Sequence, residues 1–131
     1  MSMIEHVALY ADDLEALRSF YERVFELRVI VDNSHAPTPG YFLAGSAGSA
    51  LEIIRRPAGS GADQRFICHV AFYVNDYEAK RSELESAGMA FEVGTAVDDG
   101  SMTTSFFADP AGNRVQIVRR SRPLGDAGGL P

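Results

Sequence analysis

Residues 6–16 read His-Val-Ala-Leu-Tyr-Ala-Asp-Asp-Leu-Glu-Ala, and residues 69–79 read His-Val-Ala-Phe-Tyr-Val-Asn-Asp-Tyr-Glu-Ala. Seven of these eleven positions are identical, at an offset of 63 residues. Residues 51–56 (Leu-Glu-Ile-Ile-Arg-Arg) match residues 115–120 (Val-Gln-Ile-Val-Arg-Arg) at an offset of 64. The chain therefore contains a two-fold repeat. Because solenoids need three or more units, this repeat favours a paired architecture.

Each repeat begins with the signals of a strand followed by a helix. Alternating apolar residues predict strands at 4–10 and 67–74. A capping residue three positions before a glutamate predicts each helix start, with Asp12 and Glu15 in the first half and Asn75 and Glu78 in the second. Apolar residues at helical spacing predict the buried faces. They are Leu14, Leu17, Tyr21, Val24 and Phe25 in the first helix, and Tyr77 and Leu84 in the second.

Three extended segments follow each predicted helix. They cover residues 27–32, 41–43 and 50–55 in the first half, and 90–97, 102–108 and 114–119 in the second. The repeating unit is thus βαβββ, and the predicted fold class is α+β. We expect one module over residues 1–62, a second over 63–120, and a flexible tail over 121–131, all within one structural domain.

The composition narrows the classes of function. The 131 residues carry 12 basic and 18 acidic side chains, a net charge of −6, which argues against nucleic-acid binding and against attraction to anionic membranes. The chain has no apolar run of bilayer length and no signal-peptide pattern at its start, so we expect a cytoplasmic protein. The single cysteine, Cys68, excludes a disulfide framework, and core packing is its expected role.

Four polar side chains occupy repeat-equivalent strand positions, on the faces opposite the predicted helices. They are His6, Glu52, His69 and Gln116. A two-fold arrangement of modules would bring them together, where unpaired polar groups are costly. A divalent cation would satisfy them, and the mixed nitrogen and oxygen set suits nickel, zinc, manganese, cobalt or ferrous iron. Four protein ligands leave positions open on an octahedral ion, which is typical of a catalytic metal.

Simpler interpretations of the same residues stay open. An isolated histidine in a strand is usually a hydrogen-bonded structural residue, and a strand glutamate often faces solvent. Amides are weak metal ligands, so Gln116 is the weakest ligand of the set and is also a common solvent-facing strand residue. Four aromatic residues are candidates for a substrate pocket, although aromatics more often pack in a core. They are Tyr10, Phe42, Tyr73 and Phe106.

Three motifs together resemble the vicinal oxygen chelate superfamily, which includes glyoxalases, bleomycin-resistance proteins and extradiol dioxygenases. The motifs are Ile4–Tyr10, Phe20–Phe25 and Phe107–Gln116. The resemblance implies two βαβββ modules in a cupped, mostly antiparallel sheet with helices on its outer face. It also implies a homodimer with sites between subunits and a metal ion in the cup.

The resemblance also assigns roles to residues. By position, His6, Glu52, His69 and Gln116 fall on the four metal-ligand positions of glyoxalases. Glyoxalases usually have a glutamate at the last position, where it is the base, and Gln116 cannot accept a proton. The catalytic role is therefore expected of Glu52, the carboxylate at the equivalent position of the other module.

Three functions follow as hypotheses from the resemblance. The first is a metal-dependent lyase or isomerase acting on a small oxygenated substrate that chelates the metal. The second is a metal-free protein that binds a drug or metabolite. The third is an extradiol-type dioxygenase whose ferrous iron is held by His6, His69 and Glu52.

Overall fold

The fold contains two helices and eight strands over residues 5–46, 48–57 and 69–122, the part of the chain that the computed structural model describes. In chain order they are β1 (His6–Ala11), α1 (Leu14–Val24), β2 (Arg28–Asn33), β3 (Gly40–Ala44), β4 (Ala50–Arg55), β5 (Val70–Tyr73), α2 (Tyr77–Ser86), β6 (Val97–Asp98), β7 (Met102–Ala108) and β8 (Arg114–Arg120). The predicted α+β class and the twice-repeated βαβββ order are confirmed.

The chain divides into two compact units, each with its own sheet. Unit 1 comprises residues 1–65 and 110–113, and unit 2 comprises residues 66–109 and 114–131. The strand order is β1-β4-β3-β2 in unit 1 and β5-β8-β7-β6 in unit 2. In each sheet the first pair, β1–β4 or β5–β8, is parallel and the other pairs are antiparallel. The two sheets therefore share one topology.

Each unit buries one face of its sheet under its helix. α1 packs on β4, and the predicted apolar stripe is buried from Leu14 to Val24, together with Phe20. α2 packs on β8 through the predicted anchors Tyr77 and Leu84. Val7, on the helix-facing side of β1, is still 41% exposed, because β1 is an edge strand of its sheet. Neither described helix is long and apolar enough to cross a membrane.

The predicted helix caps are wrong by one residue. Asp13 caps α1 and Asp76 caps α2, each side chain accepting a hydrogen bond from the backbone N–H three residues on, at 3.0 Å. Asp12 instead accepts a hydrogen bond from Arg56 Nε at 3.0 Å. Asp12 and Asp13, like Asn75 and Asp76, are adjacent residues that both suit a cap, so the local pattern does not choose between them. The contact between Asp12 and Arg56, 44 residues apart, cannot be predicted from the local sequence.

The strand predicted at residues 90–97 is wrong over most of its length. β6 contains two residues, and Phe91 forms a single bridge to Phe107. Gly94 has φ +83°, which interrupts the extended backbone, and the neighbouring Val93 is 98% exposed. Four other predictions lie outside the described residues. They are the first residue of the strand at 4–10, the start of the second-half strand at 67–68, the packing of Cys68, and the tail from residue 123.

Candidate functional site

In unit 1 the strand register places His6 and Glu52 on one face of the sheet. Glu52 lies opposite Ala8 in the parallel β1–β4 pair and opposite Phe42 in the antiparallel β3–β4 pair. His6 is two residues before Ala8 and so shares its face. His6 Nε2 and Glu52 Oε1 are 3.5 Å apart. The sequence predicted this shared face, and the two side chains meet on it.

The His6 ring is oriented from two sides. Nδ1 donates a hydrogen bond to Glu5 Oε1 at 2.9 Å, and the ring packs edge-on against Phe42 with centroids 5.2 Å apart. Since a carboxylate oxygen accepts, Nδ1 is the donor to Glu5, and Nε2 is the ring nitrogen that faces Glu52. Metal-binding histidines are commonly oriented in this way by a carboxylate on the other nitrogen.

Glu52 has no side chain beside it at position 40 of β3. Its side chain is 22% exposed, and His6 is its polar contact within the described part of the chain. The nearby position on β3 is Gly40, where an added Cβ would lie 2.6 Å from the Ile53 carbonyl oxygen. Because this backbone approach excludes any side chain, β3 provides no hydroxyl to bind the carboxylate. Glu52 therefore keeps an oxygen available for a ligand or a proton.

In unit 2 the same face carries Gln116, close to His69. Gln116 lies opposite Ala71 of β5 and Phe106 of β7. His69 directly precedes β5 and packs edge-on against Phe106, with centroids 5.0 Å apart and planes at 88°. This arrangement repeats the contact between His6 and Phe42. The predicted pair of equivalent histidines therefore has equivalent aromatic partners.

Gln116 is held more tightly than Glu52. It is 9% exposed, and its Nε2 donates to Thr104 Oγ1 at 2.7 Å. Thr104 Oγ1 in turn donates to the backbone oxygen of Ile117 at 2.8 Å. Thr104 is one of the residues that the sequence reasoning missed. Predicting that Thr104 lies beside Gln116 would require the register between β7 and β8.

An ion pair lies next to His69 and Gln116 on the face of unit 2. Arg114 stacks over the Phe106 ring at 3.9 Å and donates from Nε and Nη2 to Glu92, at 2.7 and 2.9 Å. This guanidinium holds the pKa of Glu92 below its usual range, against the opposing effect of burial. Arg114 shares the strand parity of Gln116, a signal that could have identified it. Glu92 lies in the segment 90–97, where the predicted strand is wrong and its alternation gives no face.

The four candidate pocket aromatics divide into two kinds. Phe42 and Phe106 are partly buried against the histidine rings. Tyr10 and Tyr73 are 47% and 49% exposed, so they are not core residues. Each tyrosine lies on the same face of its own sheet as Glu52 or Gln116 and can meet a ligand there.

The donor atoms of unit 1 fit a divalent metal ion. His6 Nε2 and Glu52 Oε1 lie 3.5 Å apart on one face, and an imidazole nitrogen and a carboxylate oxygen are both ligands of divalent metals. Over residues 5–46, 48–57 and 69–122 no three His, Cys, Asp or Glu side chains group to hold a metal. The structure thus shows a two-residue donor pair in unit 1, and a histidine near an amide in unit 2.

Comparison with known proteins identifies the family of the fold. A family model described as the Glyoxalase/Bleomycin resistance protein/Dioxygenase superfamily matches residues 3–117. Members of this superfamily commonly bind divalent metals and small molecules, and they often form dimers. No curated protein matches the chain in sequence.

Solved structures with different activities share the fold. A lactoylglutathione lyase from Agrobacterium tumefaciens is 27% identical, with a TM-score of 0.67, and 91% of this chain and 94% of that one are covered. A fosfomycin resistance protein from Listeria monocytogenes is 17% identical, with a TM-score of 0.77 and coverage of 97% and 96%. An antibiotic-binding protein from Streptomyces is also 17% identical, with a TM-score of 0.73 and coverage of 92% and 98%.

Proposed function

Since the chain belongs to the glyoxalase/bleomycin resistance protein/dioxygenase superfamily, we propose that it is a metal-dependent lyase or isomerase acting on a small oxygenated substrate. The observation that carries this proposal is the His6–Glu52 pair. Its atoms are 3.5 Å apart, and Glu5 orients the histidine from its other nitrogen. The lactoylglutathione lyase of similar fold, at 27% identity, supports lyase chemistry.

The proposed ligands are His6, Glu52, His69 and Gln116, the four repeat-equivalent residues. Two imidazole nitrogens, a carboxylate and an amide oxygen suit zinc, nickel, cobalt, manganese or ferrous iron. When bound, such an ion supplies a Lewis acid that polarises a carbonyl or enediolate oxygen of the substrate.

Glu52 is the proposed base. It takes a proton from a substrate carbon next to the polarised carbonyl and returns it to a neighbouring atom. Glu52 suits this role because it keeps an oxygen without a hydrogen-bond donor among the described residues, whereas the amide of Gln116 cannot accept a proton at useful pH. Glu5 orients His6 through the Nδ1 atom, and Tyr10 and Tyr73 contact the body of the substrate.

Metal binding by purified, tag-free protein tests the proposal. We expect near-stoichiometric binding of one candidate ion in a calorimetric titration, and its loss in the His6→Ala/His69→Ala double variant. The matched control is His35→Ala, because His35 is the third histidine, lies in the segment between β2 and β3, and is not among the proposed ligands. Failure of the wild-type protein to bind any of the five ions would contradict the proposal.

A substrate panel then separates the reactions. Hemithioacetals and epimerisable acyl thioesters test proton transfer, and catechols test oxygen chemistry. Turnover of one of the first two with the loaded protein, lost in Glu52→Gln, is the expected result. Ring opening of a catechol that requires ferrous iron would replace the proposal with the dioxygenase hypothesis.

The exposed tyrosines favour a second candidate, a metal-free protein that binds a drug or metabolite. Tyr10 and Tyr73 each offer about half of their surface to solvent on these faces, and the Streptomyces antibiotic-binding protein has the same fold. This candidate predicts that an aromatic ligand raises the melting temperature in the presence of a chelator. The metal-dependent proposal predicts that the chelator abolishes the shift.

We further propose that the protein acts in the cytoplasm as a homodimer. Apolar side chains on the edge strands β1 and β2 support self-association, since Val7 is 41% and Ile30 is 50% exposed. Light scattering that gives the mass of a single chain at micromolar concentration would contradict the dimer.

A further inference from the structure

The hydrogen-bond chain from Gln116 through Thr104 to Ile117 has a fixed direction. The Thr104 hydroxyl has one hydrogen, and it is donated to the Ile117 backbone oxygen at 2.8 Å. Towards Gln116, 2.7 Å away, Thr104 Oγ1 can therefore only accept. Because the amide nitrogen is the end of Gln116 that can donate, Thr104 decides which way the amide is turned.

The other end of the amide is left available. Gln116 Oε1 has no hydrogen-bond partner within the described ranges. No fully buried side-chain nitrogen or oxygen there lacks a partner, so this oxygen retains access to solvent although the residue is 9% exposed. The amide therefore presents an oxygen with free lone pairs on the face that it shares with Phe106.

We propose that Thr104 is a positioning residue that makes Gln116 an oxygen-only ligand. A group that binds Gln116 Oε1 must be electron-poor, because this oxygen offers only lone pairs. The proposed divalent ion is such a group, so the inference rests on the proposed function. Thr104 therefore suits an amide at position 116, because its hydroxyl oxygen accepts a hydrogen bond that only the amide nitrogen can donate. A carboxylate at 116 would face the lone pairs of Thr104 Oγ1 unless the hydroxyl turned away from Ile117.

The orientation is tested first in the metal-free protein. The side-chain amide signal of Gln116 is assigned by its loss in Gln116→Ala in ¹⁵N–¹H spectra. We expect Thr104→Val, which keeps the shape and removes the hydroxyl, to move this signal towards that of a solvent-exposed glutamine. Thr104→Ser keeps the hydroxyl and should leave the signal near its wild-type position. If Thr104→Val does not fold, Thr104→Ala gives the same test.

The ligand role is tested by titrating zinc into the same proteins. We expect Thr104→Val to weaken zinc binding about tenfold, as is typical when a group orienting a metal ligand is removed, and Thr104→Ser to restore it. Thr103→Val is the matched control, because Thr103 lies on the opposite face of β7 and donates to Asp98. Both readouts should be unchanged in this control.

The possible results separate this inference from the proposed function. An unchanged amide signal in Thr104→Val overturns the orientation. A shifted signal with unchanged zinc affinity overturns the positioning role while leaving the metal site intact. If the wild-type protein binds no ion although the amide signal shifts, the proposed function and the ligand role both fail, and the orientation alone stands.

Discussion

The two units build one pattern and complete it differently. In each, a histidine packs edge-on against a phenylalanine, and a polar residue on the partner strand lies opposite that phenylalanine. In unit 1 the polar residue is Glu52, whose carboxylate has His6 as its polar contact among the described residues, and in unit 2 it is Gln116, fixed by Thr104. Sequence symmetry thus predicts where side chains lie, while their neighbours decide what they can do.

The difference depends on one pair of equivalent positions. Gly40 and Thr104 are related by the 64-residue offset that relates Glu52 to Gln116. In unit 1 the Ile53 carbonyl comes so close that a Cβ at residue 40 would lie 2.6 Å from it. In unit 2 the equivalent carbonyl, of Ile117, accepts a hydrogen bond from Thr104. The same carbonyl excludes a side chain in one unit and binds one in the other.

The largest expected effect comes from removing the carboxylate that distinguishes unit 1 from unit 2. Glu52→Gln should lower turnover by about 10² to 10⁴-fold, the usual contribution of a general base, with an unchanged circular dichroism spectrum. The swapped variant Glu52→Gln/Gln116→Glu should not recover full activity, because a carboxylate at 116 either faces the lone pairs of Thr104 Oγ1 or takes the hydrogen bond away from Ile117. Recovery in steady-state assays of the swapped variant would show that the two positions are interchangeable.

The next effect concerns the backbone approach in unit 1. Gly40→Ala should lower the free energy of unfolding by about 1–3 kcal/mol, since the added methyl group meets a backbone oxygen that cannot move freely. Gly45→Ala is the control, because its Cβ would meet the flexible end of Leu27 at an ordinary 3.4 Å. Urea unfolding measures both. Equal stabilities of the two variants would remove the steric basis of the difference between units.

A smaller effect is expected from the orienting carboxylate of unit 1. Glu5→Ala removes the acceptor of His6 Nδ1 and should weaken metal binding about tenfold. Glu5→Gln, which keeps an acceptor oxygen, should lose less. Calorimetric titration measures the three affinities. An unchanged affinity in Glu5→Ala would mean that Phe42 alone orients the ring.

The smallest effect concerns the ion pair next to His69 in unit 2. Arg114 holds the pKa of Glu92 below its unfolded value, so the pair stabilises the fold above the ordinary glutamate pKa and loses this contribution as the pH falls. We expect Glu92→Gln to cost about 1 kcal/mol near neutral pH and progressively less in acid. Thermal unfolding across pH measures this difference.

The control for the ion pair is Glu78→Gln, because the structure shows no ion pair for Glu78 over its described residues. Because Glu78 lies in the first turn of α2, this variant loses a favourable interaction with the helix dipole but no arginine partner, so its loss of stability near neutral pH should be smaller than that of Glu92→Gln. A pH-independent loss in Glu92→Gln would assign the effect to packing and not to charge.

Much of this fold was predictable from repeats and periodicity. Residue spacing alone predicts the βαβββ order and the buried apolar faces of the two helices. It also predicts that His6 and Glu52 share one face of the sheet. The contacts of Thr104 depend on the register of β7 and β8, which local sequence does not define. The prediction of a strand over residues 90–97 was wrong because alternation of apolar residues carries no information on the positive φ of Gly94.

The close approach at Gly40 also makes the divergence of the two halves hard to reverse. If one ancestral module was copied, the second copy can lose its hydroxyl by a single substitution at Thr104. The first copy cannot gain one by a single substitution at residue 40, because every other amino acid adds the Cβ that meets Ile53. In unit 1, β3 would first have to move away from β4. The exchange of a hydroxyl for glycine at this position is therefore easy in unit 2, and the reverse exchange is blocked in unit 1.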